Sequence, residues 1–107
     1  MRTLLDQVAK IMTVDGMTIE QRALKTAEET GELCEAVCSA GKAPCTEYKG
    51  KTKVDVVEEA ADVVICALSV AIMIDKNYTM AMFERVLQAK MNKWQALVDK
   101  TSKSSES

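Results

Sequence analysis

Apolar and polar residues alternate with the period of an α-helix in four separate stretches of this chain. In the first, Leu4, Val8, Ile11 and Met12 share one side, behind the capping box Thr3-Leu4-Leu5-Asp6. "VDGMT" breaks that helix at Gly16. Thr18-Ile19-Glu20-Gln21 is a second capping box and opens a longer helix that stops near Gly41. Along it Leu24, Ala27, Gly31, Cys34 and Cys38 recur at alternating steps of three and four, the predicted packed seam. "GKAPCTEYKGK" holds the only Pro and two of the four Gly, so it reads as a loop. A third box, Thr52-Lys53-Val54-Asp55, opens the third helix, and "DKNYT" ends it. Thr79 is the expected cap of a fourth helix running to about Lys100, with "TSKSSES" beyond it as a frayed polar tail. The pattern predicts one all-α, four-helix bundle-like domain over residues 1–100, with 101–107 outside it.

The third stretch contains "VVICALSVAIMI", Val63 to Ile74, apolar on nearly every side apart from Ser69. At ~1.5 Å per residue it reaches about 18 Å, well short of a ~30 Å hydrocarbon core, so no membrane partner is expected. A helix apolar all round must be buried all round. Three sister helices in so small a domain leave part of it uncovered. The remainder is predicted to pack against a second copy, giving a homodimer or a dimer of dimers.

Composition narrows the chemistry. The 107 residues are 48% hydrophobic and 28% charged, with 4% aromatics and seven Met, which suits a soluble helical domain. A net charge of −2 argues against a nucleic-acid partner, which calls for a basic face. Of the four Cys, Cys34, Cys38 and Cys66 fall in apolar helical stretches, where a free thiol acts as a small hydrophobe, and Cys45 falls in the loop. With no C-x₂-C pair and no His, a zinc site is not expected. With no leader read ahead of the fold, a reduced, cytoplasmic setting is expected. The missing His also removes imidazole-based triads and the Glu-x-x-His pairs of di-iron bundles. Carboxylates without imidazole select hard cations, chiefly magnesium or manganese.

Those carboxylates are concentrated. "KTAEETGELCEAV" places Glu28, Glu29, Glu32 and Glu35 beside an apolar seam, and "VVEEAADVV" places Glu59 and Asp62 three apart just before the apolar run. Residues three apart share a helix face with Cβ atoms ~5–6 Å apart. Antiparallel neighbours would bring Glu29 and Glu32 against Glu59 and Asp62 as a four-ligand acidic pocket, with Glu28 at its edge. Buried without partners these anions would be costly, and a divalent cation is the natural compensation. One acidic pair alone is more often a solvated face; two pairs beside apolar seams shift that balance. Lys25, one turn before Glu29, reads equally as a salt-bridge partner. In the fourth helix Phe83, Leu87, Lys90, Trp94 and Leu97 form a stripe, so Lys90 either snorkels along the bundle or meets an anion inside it.

E-E-x-x-E (Glu28, Glu29, Glu32) followed about two dozen residues later by E-x-x-D (Glu59, Asp62) resembles the signature of the all-α nucleoside triphosphate pyrophosphohydrolases of MazG type. Lys25, Lys90 and Lys93 match basic positions of the same pattern, and the likeness spans Thr18 to Trp94. Trp94 itself stands where many relatives carry a polar or basic residue. The resemblance implies magnesium-dependent hydrolysis of (deoxy)nucleoside triphosphates to monophosphate and pyrophosphate, with manganese as a possible substitute. It implies Glu28, Glu29, Glu32, Glu59 and Asp62 as the catalytic set, with the metal on Glu29, Glu32, Glu59 and Asp62. Lys25, Lys90 and Lys93 would face the phosphates, and the loop residue Tyr48 could shape a base pocket. Two other readings stand beside it: a non-catalytic acidic interaction module, and a hydrolase of another diphosphate-containing substrate on the same fold.

Overall fold

Two threonines fix where the middle helices begin. In the computed structural model, which describes residues 2–42, 50–75, 77 and 80–106 (backbone only for 2, 3, 5, 13 and 103–106), Thr18 accepts from the Gln21 amide at 3.1 Å. Gln21 Oε1 accepts from the Thr18 amide at 2.8 Å, completing the reciprocal cap of α2, Ile19–Ala40. Thr52 and Asp55 form the same box at the start of α3, Lys53–Met73, with the Thr52 amide donating to Asp55 Oδ2 at 2.7 Å. The other two helices are α1, Arg2–Asp15, and α4, Met80–Glu106, and no strand occurs among the described residues. α1 therefore begins one residue before its expected cap, Thr3. Thr79, Cys45 and Tyr48 lie outside the described residues.

α2 and α3 are the best-packed pair, and they run antiparallel. At one end Ser39 Oγ accepts from the Lys51 amide at 3.0 Å; at the other Arg22 Nε donates to Met73 Sδ at 3.1 Å. The buried guanidinium of Arg22 also pairs with Asp15 and reaches the Met12 carbonyl at 3.4 Å, so one side chain ties the end of α1 to both helices of the hairpin.

The face by which α2 meets α3 differs from the predicted seam. Arg22, Glu29, Ala36 and Ser39 are buried, with Lys25, Thr26 and Leu33 half-buried between them. Leu24, Ala27, Gly31, Cys34 and Cys38 point outward, and Leu24 is 72% exposed. The apolar stripe is real, but nothing among the described residues covers it; small and hydrogen-bonded polar residues make the internal contact instead. On α1, Val8 and Met12 are half-buried as expected, whereas Leu4 and Ile11 are exposed.

The predicted stripe of α4 is likewise only half used. Phe83 and Leu87 are half-buried, while Lys90, Trp94 and Leu97 are exposed, Trp94 at 69%. Length explains this. At ~1.5 Å per residue, α4 with 27 residues is about 40 Å long, and α1 with 14 only about 21 Å. α4 touches α1 and α3 sparingly and makes no contact with α2 among the described residues. It continues through Glu106, so residues expected as a polar tail extend the helix; the Thr101 hydroxyl donates to the Leu97 carbonyl at 3.0 Å there.

Within Val63 to Ile74 only Leu68 and Ser69 are buried, and Val64, Ile65, Met73 and Ile74 are exposed. A compact monomer of 11.7 kDa exposes roughly 5,900 Å²; this chain exposes 8100 Å². Its radius of gyration is 17.4 Å against about 13 Å for a compact chain of this length. No helix among the described residues is long and apolar enough to cross a membrane.

Candidate metal centre

Glu29 lies on the packed face of α2, seven residues after Arg22 and seven before Ala36, so the helix period carries its carboxylate into the contact with α3. Glu28 and Glu32 flank it and remain exposed. From α3, the half-buried Glu59 and the exposed Asp62 stand one turn apart on the facing side. The five carboxylates form two groups, Glu28–Glu29–Glu32 and Glu29–Glu59–Asp62, each with ligand oxygens within 4.8 Å of one another. Glu29 belongs to both. All the residues expected in the acidic pocket are thus brought together, and Glu28 is a full member of a group rather than an edge residue. Glu35 stands outside both groups.

Two oxygens define what such a centre lacks. Glu29 Oε2 and Glu59 Oε2 are buried with no hydrogen-bond partner among the described residues. A buried carboxylate oxygen left unpaired is costly, and a cation shared between the helices would satisfy both. The negative charge of Glu29 holds the Glu32 carboxyl above the ordinary glutamate range, helped by partial desolvation. The donor set is oxygen throughout, which fits magnesium or manganese. The Cys66 thiol, half-buried nearby, is pushed up by burial and then by the charge of Glu29, and it belongs to neither carboxylate group.

The expected lysines divide. Lys25 joins the carboxylates: Nζ lies 3.2 Å from Glu29 Oε1 and 3.4 Å from Glu28 Oε1, and the hydrogen bonds to Glu29 and then Glu28 raise the pKa of its ammonium. Lys90 and Lys93 do not. They line an open groove of about 470 Å³ along α4, together with Trp94, Ala96, Leu97 and Lys100, and neither has an ion-pair partner among the described residues.

The burial of Arg22 was not anticipated. The signal was its spacing: it falls one heptad before Glu29, on the stripe that the acidic motif itself marks.

Residues 17–99 match the family model described as the MazG nucleotide pyrophosphohydrolase domain. That span takes in every carboxylate of both groups, Lys25, and Lys90 with Lys93. No curated protein and no solved structure matched the chain.

Proposed function

The chain belongs to the MazG nucleotide pyrophosphohydrolase domain family, and from that membership we propose that it hydrolyses (deoxy)nucleoside triphosphates between the α and β phosphates. One water is consumed, and a nucleoside monophosphate and pyrophosphate are released. The observation that carries this reading is Glu29, buried, common to both carboxylate groups, and left with one oxygen unsatisfied.

Magnesium, or manganese in its place, would be held by Glu29, Glu32, Glu59 and Asp62, with Glu28 completing the group on α2. When bound it supplies charge neutralisation for the phosphates and a lowered pKa for water. The chain's own side chains do the rest. On this reading Glu28, more than half exposed, would hold the attacking water and accept its proton. Lys25 stands at the same rim, where an ammonium offsets charge developing on the phosphates. No Gly-rich phosphate loop is present in the sequence, so positioning falls to the metal and the lysines.

Lys90 and Lys93 reach the phosphates on this reading from a neighbouring copy, because among the described residues α4 makes no contact with the α2 of its own chain. Self-association is supported by the surface itself. The chain exposes about 2,200 Å² more than a compact monomer would, a scale that matches the obligate dimer interfaces of ~2,000–5,000 Å² total. The outward stripes supply the apolar faces: Leu24, Ala27, Gly31, Cys34 and Cys38 on α2, and Val54, Val57, Ala61 and Val64 on α3.

A panel of ribo- and deoxyribonucleoside triphosphates, with pyrophosphate as the measured product and magnesium present or chelated, tests the activity. Magnesium-dependent pyrophosphate release from at least one nucleotide is expected. Release from none of them would leave the acidic face as a binding surface and sink the proposal.

A further inference from the structure

The Lys25 ammonium occupies a place that suits a cation, and it fills that place poorly. It touches Oε1 of Glu29 at 3.2 Å and Oε1 of Glu28 at 3.4 Å. The Glu29 side chain is only 9% exposed, yet among the described residues its Oε2 has no hydrogen-bond partner, and neither has the buried Oε2 of Glu59. Among the described residues one positive charge therefore answers a cluster of five carboxylates, and it does so from the α2 side alone.

The lysine is also built to leave. Its side chain is 43% exposed and sits on four rotatable methylenes, so the ammonium can swing into solvent without any backbone change. Its order is the weaker one on a helix, since a glutamate ahead of a lysine pairs better than a lysine ahead of a glutamate.

We propose that Lys25 is the internal counter-ion of the metal-free centre, displaced from Glu28 and Glu29 when a divalent cation binds, and thereby freed to meet a phosphate. The proposal rests on reading the carboxylates as a metal site. It makes one residue both a competitor of the metal and a partner of the substrate. Losing Lys25 should then push binding and turnover in opposite directions, which a merely structural lysine would not do.

The experiment measures manganese affinity without nucleotide, by the electron paramagnetic resonance signal of the free ion, for wild type, Lys25→Met, Lys25→Arg and Lys53→Met. Lys53 opens α3 and has no ion pair with these carboxylates, so its variant controls for the loss of one positive charge. Lys25→Met should bind manganese about twofold to fivefold more tightly than wild type, the fold-change of an exposed ion pair removed. Its turnover at saturating metal should fall by about tenfold or more. Lys25→Arg, which keeps the competing charge, should stay near the wild-type affinity. Equal or weaker binding by Lys25→Met, or the same gain in Lys53→Met, would overturn the counter-ion role while leaving the metal site standing. Binding by none of the four proteins would overturn the metal site, and the inference with it.

Discussion

Glu29 on α2 and Glu59 on α3 each end in a buried oxygen that no hydrogen bond reaches among the described residues, and both belong to one carboxylate group within 4.8 Å. Two anions held this way on separate helices push the hairpin apart. A cation between them reverses the sign of that interaction.

Magnesium or manganese should accordingly raise the melting temperature of the metal-free protein. Filling a site present only in the folded state adds about 2.7 kcal/mol at a hundredfold excess over Kd. Glu29→Gln, which strikes both groups, should lose the shift and the activity together. Its metal-free form should be as stable as wild type or more so, because a repelling charge has gone. Differential scanning fluorimetry with and without metal checks this; a normal metal-induced shift in Glu29→Gln would refute the shared centre.

Arg22→Met should cost roughly 1–3 kcal/mol, the range for losing hydrogen bonds from a buried charged donor, since its partner Asp15 is 31% exposed and can be solvated. The guanidinium is 6% exposed and joins Asp15, the Met12 carbonyl and Met73. Urea unfolding measures the loss. At a temperature where the variant remains folded its kcat should stay close to wild type, since Arg22 belongs to neither carboxylate group.

Asp55 carries the pH dependence of the α3 cap. Hydrogen bonds from the backbone and side chain of Thr52 hold its carboxyl below the ordinary aspartate range. A depressed folded-state pKa gives stability that is present above the unfolded value and is lost as pH falls through the folded one. Asp55→Asn should therefore melt below wild type at neutral pH, and the gap should close in the acid range. Melting curves from pH 7 down to ~3 decide it; a gap independent of pH would assign the cap's effect to geometry alone.

Lys90→Met keeps the stem and removes a charge from an exposed position, so its melt should match wild type. Turnover should nevertheless fall by about tenfold or more if the ammonium serves phosphate. Unchanged kinetics would return Lys90 to the status of a solvated surface residue.

Val64→Glu tests assembly more cleanly than a charge at Ala71 or Ile72, which are half-buried inside the protomer. Val64 is 64% exposed, so a lone chain should tolerate the glutamate. Light scattering should show the variant losing the mass of the wild-type oligomer, with activity falling alongside. A wild-type monomer that is fully active at assay concentration would contradict the expectation.

The sequence made the helix starts legible because capping is local: Thr18 with Gln21 and Thr52 with Asp55 need only each other. It also showed the carboxylates, whose spacing alone sets them on facing turns. It did not show which face of α2 packs inward. Apolar periodicity says that a stripe such as Leu24 to Cys38 wants cover, without saying what provides it. Arg22 and Ser39 are buried through partners outside α2, Asp15 and Lys51, and no local rule announces such tertiary pairs; the Lys25–Glu29 pair is local, yet it does not say which face meets α3. The stripe of α4 misled in the same way, since the helix outruns everything in the chain that could lie against it.

The pairing of α2 with α3 also sets an order in time. These helices are neighbours in sequence as well as in space, so the best-packed part of the molecule closes only a short loop. Local topologies of this kind form within microseconds to milliseconds. Association of two chains is slower, milliseconds to minutes, and depends on concentration. Each hairpin can therefore close and gather its five carboxylates before any second copy arrives. On refolding from urea, the α2–α3 amides should gain protection from hydrogen exchange at a rate independent of protein concentration.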